Sequence, residues 1–149
     1  MATTKNSAQK IKSTGFCLAG LKVDEDKAKN GIPFDFMGGC KLIIARGGSK
    51  GYNNYIANFF KENEKALTAG GEAADELGQR GFIEAAARFL LVGWEEVVDE
   101  EGNEVPYSVE AAEGYLAVDE IYEFVKGKSD EREHWRISAT QKIGEELKK

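Results

Sequence analysis

Between Tyr52 and Leu91 the apolar residues recur at three- and four-residue steps, and that period commits the middle of the chain to helix. Tyr52, Tyr55, Ile56, Phe59, Phe60 and Leu67 fall on one face of a first helix, which Thr68 to Gly71 breaks. The next helix is expected from about Glu72 to Gly93. Its apolar residues are Leu77, Phe82, Ile83, Ala86, Ala87, Phe89, Leu90 and Leu91. A stripe that wide belongs to a central helix with neighbours on two sides.

Before residue 52 the pattern is extended. Phe16 to Val23 (FCLAGLKV) reads as a strand that alternates imperfectly, and Asp24 to Gly31 as a charged connection with a glycine exit. Ile32 to Phe36 and Cys40 to Ala45 read as two further strands, joined by Met37-Gly38-Gly39, which supplies the positive φ of a tight turn. After the central helix, Glu101-Gly102-Asn103 is a turn between the short runs Val97-Val98 and Val105 to Tyr107. Ser108 is a good N-cap for a helix to about Asp119, followed by another from Asp119 to Lys126. A last helix, from Ser129 or Asp130, places Trp135, Ala139, Ile143 and Leu147 on one face. The expected fold class is α+β, mainly α-helical, with a small N-terminal antiparallel sheet followed by a bundle of about four to five helices. Residues 1–14 are expected to be a polar, flexible tail, and residues 15–149 a single domain.

A chain of 149 residues with 42% hydrophobic and 31% charged residues can build a core without disulfides or metal. No apolar run is long enough to span a bilayer, and the start MATTKNSAQKIKSTG lacks the apolar stretch of a secretory signal. The protein is therefore expected in the cytosol. Cys17 and Cys40 fit no metal or redox spacing and read as two buried, reduced thiols. The net charge of −6 is unevenly spread: residues 1–61 balance to +6 and residues 94–133 to −11. An acidic half of that size argues against general nucleic-acid binding and marks either a partner surface or a solvated face.

Three groups of residues invite a chemical reading. Arg46-Gly47-Gly48-Ser49-Lys50-Gly51 lies between a strand and a helix, where backbone amides can cradle phosphate. A phosphate loop, however, requires Gly-Lys followed by Ser or Thr, whereas Lys50 follows Ser49 and precedes Gly51. The segment reads as a turn with Ser49 capping the helix. His134, the only histidine, reads as an exposed helix residue, since one imidazole cannot build a histidine metal cluster. The acidic run from Glu95 to Glu104 misses the spacing of a calcium loop and reads as a solvated hairpin. No catalytic, cofactor or metal residue is expected. Trp94 and Trp135 read as core or core-edge residues, with partner contact the alternative.

Two segments carry a resemblance. The first is Ile43-Ile44-Ala45-Arg46, a short polar loop, then Tyr52 opening a helix. The second is AARFLLVGWEEVVDEEGNEVPYS, from Ala86 to Ser108, in which Trp94, Asp99, Gly102, Pro106 and Ser108 keep a helix, Trp, acid-Gly turn, Val-Pro-Tyr-Ser order. Together, over about residues 32–125, the chain resembles the tail assembly chaperones of long-tailed bacteriophages. It departs at Ser49, where that family often has Asn, and in its extra loop glycines. The resemblance implies a protein that binds the helical tape measure protein, keeps it soluble and helps recruit the tail tube protein. It also implies work in the cytoplasm of the infected host and absence from the finished virion. Many such chaperones are also made in a longer, frameshifted form. Lys148-Lys149 fits a slippery A-rich run, although the first reading of lysines there is a helix end favoured by the macrodipole.

Arg46 and Tyr52, in the first resembling segment, and Trp135 are the candidate partner contacts, with self-association a further possibility. The main alternative is another small acidic phage or prophage binding protein, such as an inhibitor of a host defence factor, which gene neighbourhood would separate. A small nucleotide-dependent enzyme built on Gly47 to Gly51 is the third reading, which calorimetry with nucleotide would separate.

Overall fold

The two short apolar runs on either side of Met37-Gly38-Gly39 form the expected hairpin. The computed structural model describes residues 15–137. In it, β1 (Ile32–Asp35) pairs antiparallel with β2 (Lys41–Ile44) in the register Ile32↔Ile44 and Phe34↔Leu42. Gly38 (φ 68°) and Gly39 (φ 80°) take the left-handed turn positions. A third strand, β3 (Leu91–Glu95), pairs antiparallel with the other side of β2, Leu42 opposite Trp94, with an irregularity between Ile43 and Ile44. β2 is thus central, and β1, which carries Pro33, is an outer strand.

Six helices belong to the same unit, Asp24–Trp135. Helix α1 (Glu25–Asn30) replaces the expected connection: Asp24 accepts the Lys27 N–H at its start, and Gly31 (φ 82°) ends it. Ser49 caps α2 (Lys50–Glu62) by accepting the Tyr52 N–H at 3.2 Å. After a break at Asn63, α3 (Glu64–Thr68) leads to Gly70 and Gly71 and then to α4 (Glu72–Phe89). Ser108 caps α5 (Val109–Leu116), and α6 (Asp119–Asp130) follows.

Helix α4 is the central helix the sequence implies, packed against α2, α3, α5 and β3. Its buried face is made of small residues, Gly81, Ala85, Ala86 and Ala87, so its neighbours approach its backbone closely. A Cβ at Gly81 would stand 2.5 Å from the Phe59 ring, and one at Gly51 2.5 Å from the Phe89 ring. Side-chain bonds reinforce the contact: Tyr55 donates to Glu84 at 2.7 Å, and Arg88 pairs with Glu113 at 3.1 Å. Leu42, Ile44, Leu90, Leu91, Leu116 and Val125 fill the core.

The helix stops at Phe89, short of the expected Gly93. The Leu90 carbonyl accepts the Ala45 N–H at 2.8 Å, which turns the chain into the sheet. The apolar run 89–92 suits a buried helix and a buried strand equally, so periodicity alone cannot locate the change. At the far end, α6 continues through Asp130, where a new helix was expected to start, and is followed by a 3-10 turn, Arg132–Trp135. The Gly47 N–H takes the Ser129 carbonyl at 2.9 Å, which draws the last turn of α6 toward the loop. Ala139, Ile143, Leu147 and the tail 1–14 lie outside the described residues.

The remaining described residues form a small unit of their own. Leu18–Leu21 is a 3-10 turn, and Val23 bridges Arg136, with the Ile137 N–H donating to the Lys22 carbonyl at 3.0 Å. The strand expected from Phe16 to Val23 is therefore only a bridge at its end, because Gly20 and the broken alternation give it no sheet face. Cys40 is buried as expected, whereas Cys17 is exposed.

Trp94 joins the sheet to the segment after the acidic turn. It is 9% exposed, its indole N–H donates to the Val105 carbonyl at 2.8 Å, and its ring meets Tyr107 edge-on and stacks on Tyr115. Trp94→Ala should cost about 3–5 kcal/mol in urea unfolding. An unchanged transition midpoint would remove Trp94 from the core.

Candidate partner-binding surface

A hollow lies where α2, α3, α4 and α6 leave apolar side chains without cover. It is an open groove of about 500 Å³. Phe60, Leu67, Phe82 and Tyr122 wall it, and Ala74 and Gly78 line it on α4. Phe82 is 38% exposed although its ring packs edge-on against Phe60 at 5.4 Å. Ala74 and Gly78, four apart on α4, leave its backbone uncovered there. A Cβ at Gly78 would only touch Leu67 and Phe60 at 3.9 Å, so the space there is free. Asp75 and Gln79 also line the groove, and Glu72 and Asp75 make the first turn of α4 acidic. The sequence pattern put Phe60 and Leu67 on the apolar face of one helix and Phe82 on that of the next, but could not show that part of those faces stays uncovered.

A smaller apolar hollow of about 260 Å³ sits on the sheet, between the Met37 turn, Val98, Tyr115 and Ile121. Met37 is 61% and Val98 54% exposed there. Around it runs the acidic hairpin, in which Val98 bridges Glu104, and Asp99 accepts the N–H groups of Glu101 and Asn103. Glu95, Glu96, Asp99, Glu100, Glu101 and Glu104 are all exposed, as a solvated acidic hairpin requires.

The glycine-rich loop is shaped by packing. A Cβ at Gly47 would stand 2.7 Å from Asp130 Oδ1 and 3.2 Å from Ser129 Oγ, and Gly48 has φ 82°. Each glycine thus has a steric reason to be there without any ligand. Arg46 is half-buried and lines a polar cleft of about 320 Å³ with Ser129, Asp130 and Arg132. Among the described residues, neither Arg46 nor Arg132 has an ion pair, while Asp130 pairs with Lys126 at 2.7 Å.

The three residues proposed from sequence are not brought together as one contact surface. Arg46 faces its cleft, but Tyr52 is buried and its hydroxyl lies beside that of Tyr122. Tyr52 therefore reaches the apolar groove only by holding one of its walls. Trp135 is fully buried, close to Phe34 and His134, and its indole N–H has no acceptor among the described residues. That burial places it in the core, the first of the two readings its sequence allows. Among the described residues, Glu131, Glu133 and His134 form a group whose ligand atoms lie close enough to share a metal ion. No described helix is long and apolar enough to cross a membrane.

Residues 48–146 match the family described as YdaY prophage protein. No curated protein and no solved structure matches the chain.

The tyrosine pair makes the groove wall sensitive to alkali. Burial, and then the neighbouring Tyr52 hydroxyl, pushes the Tyr122 phenol up to about 12 from an ordinary 10.0. A raised phenol pKa means that the folded state holds the proton more tightly. The stability this contributes is full below pH 10.0 and is lost as the pH rises towards about 12. The melting temperature should fall as the pH passes about 10, and Tyr122→Phe should remove part of that fall. Identical alkaline profiles for the two proteins would refute the coupling.

Proposed function

Since the chain belongs to the YdaY prophage protein family, we propose that this phage protein is a tail assembly chaperone. It binds the tape measure protein, keeps it soluble and helps bring the tail tube protein to it. It does this by binding alone, without chemistry, in the cytoplasm of the infected host, and it is left out of the finished virion. The observation that carries the reading is the apolar groove over Gly78. A tape measure protein is a very long helical chain whose apolar stripe would aggregate if left bare, and a helix laid in a groove covers such a stripe at i, i+3, i+4 and i+7. The Phe60, Leu67 and Phe82 side chains supply apolar walls, and Ala74 and Gly78 allow close approach. The sequence resemblance over Ala86 to Ser108 supports the same reading, and the Trp94–Tyr107 contact gives that segment a structural purpose.

The exposed acidic hairpin favours a second reading, a prophage protein that binds a basic host factor. Co-expression with the neighbouring tail genes separates the two. The tape measure protein should co-purify with the wild-type chain, and Gly78→Leu, which fills the groove, should abolish its recovery. Gly78→Ala should leave the melting temperature unchanged or raise it slightly, since alanine fits at van der Waals distance and gains up to about 1 kcal/mol of helix propensity. If the wild-type chain recovers no tape measure protein, the chaperone reading fails. If Gly78→Leu still recovers it, the groove is the wrong surface.

A further inference from the structure

Outside both apolar hollows, the turn that follows α6 collects three metal-binding side chains. Glu131, Glu133 and His134 each offer one ligand atom, all within 4.8 Å of one another. The His134 Nε2 and Glu131 Oε1 atoms are already 2.6 Å apart. We propose that Glu131, Glu133 and His134 form a zinc-type divalent metal site that locks the end of α6 to the turn carrying Trp135.

Glu-x-x-His is the i, i+3 spacing by which one helical turn aims a carboxylate and an imidazole at a shared metal. Here the 3-10 turn Arg132–Trp135 adds Glu133 from the same few residues. An imidazole with two carboxylates suits zinc, and three protein ligands leave a fourth position for water. Ligand atoms about 2 Å from zinc stand within about 4 Å of each other, so a small rotation of the carboxylates closes the group. Glu133 is exposed and free to make that rotation.

The imidazole is held in place beforehand. It packs edge-on against Phe34 at 4.9 Å and against Trp135 at 5.5 Å, and its side chain is 25% exposed. Trp135 is itself buried, and its carbonyl accepts the Asp24 N–H at 2.7 Å. The hydrogen bond to His134, ahead of the Lys128 charge, holds the Glu131 carboxyl below its usual range. Zinc then takes the place of that hydrogen bond: the ring proton moves to Nδ1, and Nε2 and Glu131 Oε1 both turn to the metal. Lys128 Nζ, 3.6 Å from the same oxygen, opposes the ion. It also lies 5.8 Å from the Phe34 ring centre and 5.7 Å from that of Phe124, which gives it an alternative seat.

The test is titration of the metal-free, untagged full chain with zinc chloride by calorimetry, followed by thermal melting with and without the metal. One ion should bind per chain and raise the melting temperature. His134→Gln should weaken binding at least about tenfold and cancel the thermal shift. Glu133→Gln, at an exposed position, should weaken binding without altering the metal-free melt, and it carries the test should His134→Gln unfold. No saturable binding by the wild-type chain, or equal binding by Glu133→Gln and the wild type, overturns the proposal.

Discussion

The Leu90 carbonyl marks the point where the longest helix becomes the third strand, and the bond it accepts from the Ala45 N–H fixes that point in space. Everything else in the larger unit is arranged around this junction. Had α4 kept turning to Gly93, Leu91 and Trp94 would have stayed on a helix and β2 would have had β1 as its only neighbour. Instead Leu91 pairs with Ile44, and Trp94 sits opposite Leu42. The Tyr107 hydroxyl lies 2.8 Å from the Ala87 carbonyl and 2.6 Å from that of Leu91, so one side chain bridges the two sides of the turn. The segment after the acidic hairpin is thereby tied to the end of α4, and α5 starts from it.

How much of this could be seen in the sequence depends on whether a residue's role is local. Ser49, Ser108, the Gly38-Gly39 turn and the break at Gly70-Gly71 act through their own neighbours, and each stands where the pattern put it. The two strands of the hairpin were equally readable. β3 was not, because Leu91 and Val92 are apolar on either assignment and the deciding bond comes from Ala45, far away in sequence. Helix α1 was missed for a different reason. Its residues Glu25 to Asn30 are all polar except Ala28, so no apolar period marks it, although Asp24 as N-cap and Gly31 as exit were there to be weighed.

The candidate site divides along the same line. Tyr52 and Trp135 were singled out as aromatics fit for a partner, yet both are buried. Phe60 lies on the same helical stripe as Tyr52 and Phe82 on that of α4, and both remain partly open. Composition ranks these four alike. What separates them is the tertiary neighbour, Tyr122 for Tyr52 and Phe34 for Trp135, which no local period reveals. The chain belongs to a prophage protein family, and part of its apolar helix surface lies open in the groove.

The outer strand has a consequence for behaviour at high concentration. The Phe36 N–H bonds the Cys40 carbonyl at 2.9 Å, so by the alternation of a strand the backbone nitrogens of Pro33 and Asp35 point away from β2. One of the two has no hydrogen to give, and the other belongs to a charged residue paired with Lys41 at 3.4 Å. A strand seeking to extend this sheet from that side meets neither a regular row of donors nor a neutral edge. Crowded copies of the chain are thus discouraged from zipping together into fibres along β1.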